Sequence, residues 1–88
     1  METKKLLIKG IVQGVGMRFF IKRSAQALYL KGEVKNLNNG AVECIVQGKN
    51  SAIETLIDKI KHQSPGEVSS VETTIINAQP YSTFSVTV

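Results

Sequence analysis

The chain has 88 residues, 42% of them hydrophobic and 20% charged. That suits one soluble, thin-cored domain over residues 1–88 and excludes a membrane-spanning helix, for want of a long apolar run. The net charge of +4 is uneven: residues 1–40 hold eight Lys and Arg against two acids, +6, and residues 41–88 hold three Lys against five acids, −2. Such asymmetry suits an anionic partner, a small anion or nucleic acid.

Residues 4–12 read as the first strand, with Leu6, Ile8 and Val12 on one parity facing the core. Residues 17–29 read as the first helix, its inward stripe formed by Ile21, Ala25 and Leu28, with Lys22, Arg23 and Gln26 on the other side. Gly32 is the expected stop for that helix. Residues 33–37 and 41–47 read as a hairpin through Asn38-Asn39-Gly40, with Asn39-Gly40 tolerating the positive φ of a tight turn and Val42, Cys44 and Val46 facing inward.

Residues 51–62 carry the strongest helical period, Ile53, Leu56, Ile57 and Ile60 at i, i+3, i+4 and i+7, and Ser51 with Glu54 reads as a capping box. After the Ser64-Pro65-Gly66 loop, residues 68–79 and 82–88 are strand-like and divided at Pro80. The order is strand, helix, strand, strand, helix, strand, with a short fifth strand at the end. Two βαβ units sharing one antiparallel sheet, both helices on one face, make an α+β ferredoxin-like two-layer sandwich.

The stretch Gly10-Ile11-Val12-Gln13-Gly14-Val15-Gly16-Met17-Arg18 joins the first strand to the first helix. A glycine-bearing loop feeding a helix start presents N–H groups without internal partners, at the positive end of the helix dipole, and so forms an anion cradle. Arg18 adds a planar guanidinium able to take two oxygens of one phosphate. Neither a Walker loop nor a dinucleotide fingerprint fits, because Gly16-Met17-Arg18 lacks the Lys-Ser/Thr pair and Phe19 stands where a third small residue belongs. Asn36 shares the parity of Val34, and if its strand pairs beside the first, its carboxamide comes near the loop. One cysteine excludes a disulfide framework and any multi-cysteine metal site, and with no signal-like N-terminus the expected compartment is the cytoplasm. An RNA reader on this fold needs exposed aromatics on its central strands; residues 6–12 and 33–37 carry none.

Two stretches resemble the acylphosphatase family. Ile8-Lys9-Gly10-Ile11-Val12-Gln13-Gly14-Val15-Gly16-Met17-Arg18 is similar to its first signature at every specified position, and Gly32, Val34, Asn36, Gly40, Val42 and Gly48 meet its second. Two residues depart from the pattern: Glu33 stands where an aromatic is usual, bringing a negative charge expected to bear on the site, and Tyr29 stands where a glycine is common. The resemblance implies an enzyme that hydrolyses small acyl phosphates to carboxylate and inorganic phosphate, as a monomer, without cofactor or metal. It further implies that Arg18 and the amides of Gln13, Gly14, Val15, Gly16 and Met17 bind the phosphate, and that Asn36 orients the attacking water. The alternative carried beside it is a non-catalytic module of the same fold that binds a small anion or RNA.

Overall fold

Alternation of apolar and polar residues builds the sheet, and a 3.6-residue period builds the layer above it. In the computed structural model, which describes residues 1–87, the elements are β1 (Glu2–Ile11), α1 (Met17–Ala27), β2 (Lys31–Asn36), β3 (Val42–Gly48), α2 (Asn50–Gln63), β4 (Glu67–Ile75) and β5 (Phe84–Val86). The strands lie in the order β4-β1-β3-β2-β5. Leu6 and Ile8 of β1, Val34 of β2 and Cys44 of β3 turn to one face and meet Ile21 of α1 and Leu56 of α2 in a single core, all fully buried. A core leucine such as Leu56 is of the kind whose truncation to alanine costs about 2–5 kcal/mol.

The ferredoxin-like order holds, but the sheet is mixed rather than antiparallel. β5 pairs parallel to β2, with Gly32 opposite Phe84 and Val34 opposite Val86. The cause lies in the connection from β4, which stays at the end of the sheet where β1 and β2 begin. Ile76 N donates to Thr3 O at 3.0 Å, and Gly32 N donates to Thr83 O at 2.9 Å. A strand launched from that end must run opposite to β4, and so in the direction of β2. Gln47, 1% exposed, fastens the crossing by donating to Gln79 O at 2.8 Å and accepting from Tyr81 N at 2.8 Å. The expected strands 68–79 and 82–88 are shortened accordingly, because residues 76–83 serve as this strap; Val88 falls outside the described residues.

Other local expectations change for identifiable reasons. β3 lies between β1 and β2, so β2 does not pair beside β1. The first helix stops before Gly32: Tyr29 takes the left-handed conformation (φ 59°), Leu30 N donates to Ala25 O at 2.9 Å and Tyr29 N to Gln26 O at 3.1 Å, a Schellman ending. Gly32 is needed instead for close approach, since a Cβ there would lie 1.8 Å from Ile45 O across the β2–β3 pairing. In the turn Asn38-Asn39-Gly40 only Gly40 has positive φ; Leu37 N donates to Ala41 O at 2.9 Å and Gly40 N to Leu37 O at 3.3 Å, giving a three-residue loop. The capping box does not form: α2 begins at Asn50, and the N-cap Lys49 makes no side-chain cap. Lys4, nearly buried, takes both groups that the helix start offers, donating to Asn50 Oδ1 at 2.7 Å and pairing with Glu54 Oε2 at 3.2 Å. A buried ammonium left unpaired costs more than a helix end left uncapped.

Candidate active site

The loop between β1 and α1 owes its shape to its glycines. Gly14 (φ 76°) and Gly16 (φ 88°) both sit in the left-handed region that side chains disfavour, and Gly16 is the N-cap of α1. A Cβ at either position would meet nothing within 4 Å, so conformation rather than room selects glycine here. The helix start carries no side-chain cap and no acid in its first turn. Its first bond runs from Phe20 N to Gly16 O at 3.1 Å, which leaves the N–H groups of Met17, Arg18 and Phe19 ahead of it without helical acceptors. The end of α1 therefore keeps its positive potential.

A cleft of about 390 Å³ opens over this loop, at the small end of the roughly 300–1,000 Å³ usual for small-molecule sites. Gly14, Gly16, Met17 and Arg18 line it, joined by Asn36 from the end of β2. Asn36 arrives there by register: Ile8 of β1 pairs with Val42 of β3, and Val42 pairs with Asn36. The carboxamide thus reaches the loop across an intervening strand. Its Oδ1 is buried and has no hydrogen-bond partner among the described residues. An acceptor withdrawn from water and left unsatisfied costs about 1–3 kcal/mol, which stability alone does not favour.

Gln13 and Val15 lie in the same loop but do not line the cleft. Gln13 turns away and donates through Nε2 to Leu37 O at 2.7 Å and Ala41 O at 2.8 Å, bracketing the two strand ends of the β2–β3 hairpin. Val15 packs against the core edge and approaches Gly66. The loop and the strand end that carries Asn36 are thereby pinned to each other.

Lys22 also lines the cleft, although the sequence placed it on the far side of α1 with Arg23. The overlooked signal is the i, i+4 spacing of Arg18 and Lys22, which puts them on one face a turn apart. Phe19 and Val86 complete the wall, Phe19 with its ring 5.7 Å from the Arg23 guanidinium. The arrival of Val86 from β5 had no local signal in the sequence. No acid lines the cleft, and neither Arg18 nor Lys22 takes part in an ion pair among the described residues. An anion entering here meets two cations and a row of N–H groups. Glu33 is set apart from it. Strand alternation puts its carboxylate on the helix-free face, where Oε2 accepts from Tyr81 Oη at 2.6 Å and Oε1 from Thr87 Oγ1 at 3.4 Å. The carboxylate does not line the cleft.

Cys44 is fully buried, and burial pushes its thiol well above the ordinary range, as expected of a small core residue. Among the described residues no cluster of three His, Cys, Asp or Glu side chains could hold a metal ion. No helix among them is long and apolar enough to cross a membrane.

A family model described as acylphosphatase matches residues 4–86. An acylphosphatase of Moorella thermoacetica is 46% identical over 55 residues, 62% of this chain and 59% of the relative. One of Caldivirga maquilingensis is 47% identical over 70 residues, 77% of this chain and 74% of the relative. The aligned stretch thus spans about six-tenths of the Moorella protein's length. The crystal structure of acylphosphatase from Bacillus subtilis superposes with a TM-score of 0.95 at 30% identity, covering 100% of both chains. With the model match running from β1 to β5 and the glycine loop, Arg18 and Asn36 brought to one cleft, this chain belongs to the acylphosphatase family.

Proposed function

We propose that the chain hydrolyses the carboxyl–phosphate bond of small acyl phosphates, releasing a carboxylate and inorganic phosphate. The observation that carries this reading is the meeting of Asn36, Arg18 and the glycine loop at one cleft, with the Asn36 carboxamide oxygen left without a hydrogen-bond partner among the described residues. In this reading the phosphoryl oxygens are received by the backbone N–H groups of the loop residues that line the cleft, Gly14, Gly16 and Met17, and by the Arg18 guanidinium, which hold the group and spread its charge. The Asn36 carboxamide holds a water at the cleft and aims it in line with the bond to be broken.

The water oxygen forms a bond to phosphorus as the phosphorus–acyl oxygen bond breaks, and the carboxylate departs with the electron pair. A carboxylate is a good leaving group, so no strong nucleophile is required. The water proton needs an acceptor, and a neutral carboxamide is not a base. No Asp, Glu, His or Cys lines the cleft, so a phosphoryl oxygen of the substrate takes the proton. Rate enhancement then rests on positioning and charge stabilisation within one chain, which supports a single-domain monomer as the working unit. A cytoplasmic place of action is supported by the lone buried thiol of Cys44, which suits a reducing compartment.

The test is turnover of benzoyl phosphate by the wild-type chain, followed by inhibition with inorganic phosphate. The reading expects catalysed release of benzoate, with phosphate inhibiting competitively. Phosphate binding without any turnover would instead identify a non-catalytic anion module.

A further inference from the structure

The cleft extends beyond the loop that would receive a phosphoryl group. One turn along α1 from Arg18 it is bordered by Lys22, a second cation, and by Phe19, a residue 59% exposed. Neither cation is in an ion pair among the described residues, and no carboxylate lines the space between them. The Arg23 guanidinium, 5.7 Å from the Phe19 ring centroid, backs that ring from outside the cleft, a cation–π contact that favours its position at the rim. Val86, 38% exposed, supplies apolar surface beside it. Two cations four residues apart on one helix face, about 6 Å along the axis, match one small ligand with two anionic ends.

We propose that this end of the cleft is an acyl subsite selecting acyl phosphates whose acyl group carries a second anionic group, paired with Lys22 and flanked by the Phe19 ring. The inference rests on the acyl-phosphate reading above, with the phosphoryl group at the loop and Arg18. The acyl carbonyl then lies between the cations, and a carboxylate or phosphate two or three atoms further on comes to Lys22. An uncharged acyl group would leave Lys22 without a partner. Apolar contact with Val86 accommodates the intervening carbons.

The experiment compares kcat/KM for benzoyl phosphate and for 3-carboxybenzoyl phosphate, whose meta carboxylate cannot reach its own acyl carbon. The readout is the ratio of the two values, which cancels the intrinsic reactivity of each compound when wild type and variant are compared. Lys22→Gln is expected to lower the carboxylated-to-plain ratio about tenfold, the scale of one charge-assisted hydrogen bond. Lys22→Arg is expected to keep most of it. Lys61→Gln, on the exposed face of α2, removes the same charge outside the cleft and is expected to leave the ratio as in wild type. An unchanged ratio in Lys22→Gln, including an equal loss on both substrates, overturns the proposal by placing Lys22 on the phosphoryl group or nowhere. An equal fall in Lys61→Gln overturns it by assigning the preference to overall charge. Failure of wild type to hydrolyse plain benzoyl phosphate would instead defeat the underlying reading, and with it the subsite.

Discussion

Asn36→Ala separates function from stability because the two should move in opposite directions. The wild-type carboxamide oxygen is buried without a partner, a penalty of about 1–3 kcal/mol that the variant removes. Against this stands lost packing at a half-buried site at the end of β2, comparable to one methylene at about 0.8 kcal/mol. The expected net is a protein unchanged in stability or steadier by up to roughly 2 kcal/mol. Turnover should fall by about 10²–10³, the scale of removing one group that acts in the transition state. Urea unfolding followed by circular dichroism gives the first quantity, and benzoyl phosphate hydrolysis gives the second. A variant that loses more than about 2 kcal/mol while keeping wild-type turnover would refute the reasoning, since Asn36 would then be a structural residue whose oxygen is satisfied.

Gln13→Ala removes both bonds that tie the loop to the β2–β3 hairpin, and should lower kcat/KM for benzoyl phosphate by roughly tenfold through misplacement of loop against Asn36, with wild-type activity as the contrary result. Tyr29→Gly relieves a left-handed residue whose side chain is 88% exposed, and a gain of about 1 kcal/mol in urea unfolding is expected; a loss would mean that the ring packs usefully. The hydrogen bond from Tyr81 to the Glu33 carboxylate pushes the phenol from its ordinary value of 10 up to about 12. A raised folded-state pKa stabilises fully below the unfolded value and is lost above it, so this contribution is complete below pH 10 and disappears as pH climbs towards 12. The stability gap between wild type and Tyr81→Phe, measured by urea unfolding across that window, should therefore narrow as pH rises, and a constant gap would dismiss the linkage.

Much of the molecule is readable from short-range pattern. The α2 stripe of Ile53, Leu56, Ile57 and Ile60 is buried as its period requires, and the strand parity of Leu6, Ile8, Val42 and Cys44 places them in the core. The glycine loop, Arg18 and Asn36 were visible as residues, but their meeting depends on β3 inserting between β1 and β2, a pairing that no local pattern encodes. What escaped is long-range competition for polar partners. Ser51 and Glu54 read as a cap until Lys4, nearly fifty positions earlier, claims Asn50 and Glu54. Val71 and Ile75 give no hint that the chain next leaves the sheet edge and returns on the far side, because that path is held by Gln47, a polar residue near the end of β3. Lys22 escapes for a simpler reason: a charged helix residue reads as solvent-facing, although its helical face is shared with Arg18.

The most direct test of the central idea is a phosphate titration of isotopically labelled protein followed through its backbone amide resonances. The account predicts saturable shifts concentrated on Gly14 to Phe19 and on the Asn36 side-chain amide, and at least tenfold weaker binding in Arg18→Gln. Shifts that leave those amides untouched, or binding that Arg18→Gln does not weaken, would contradict it.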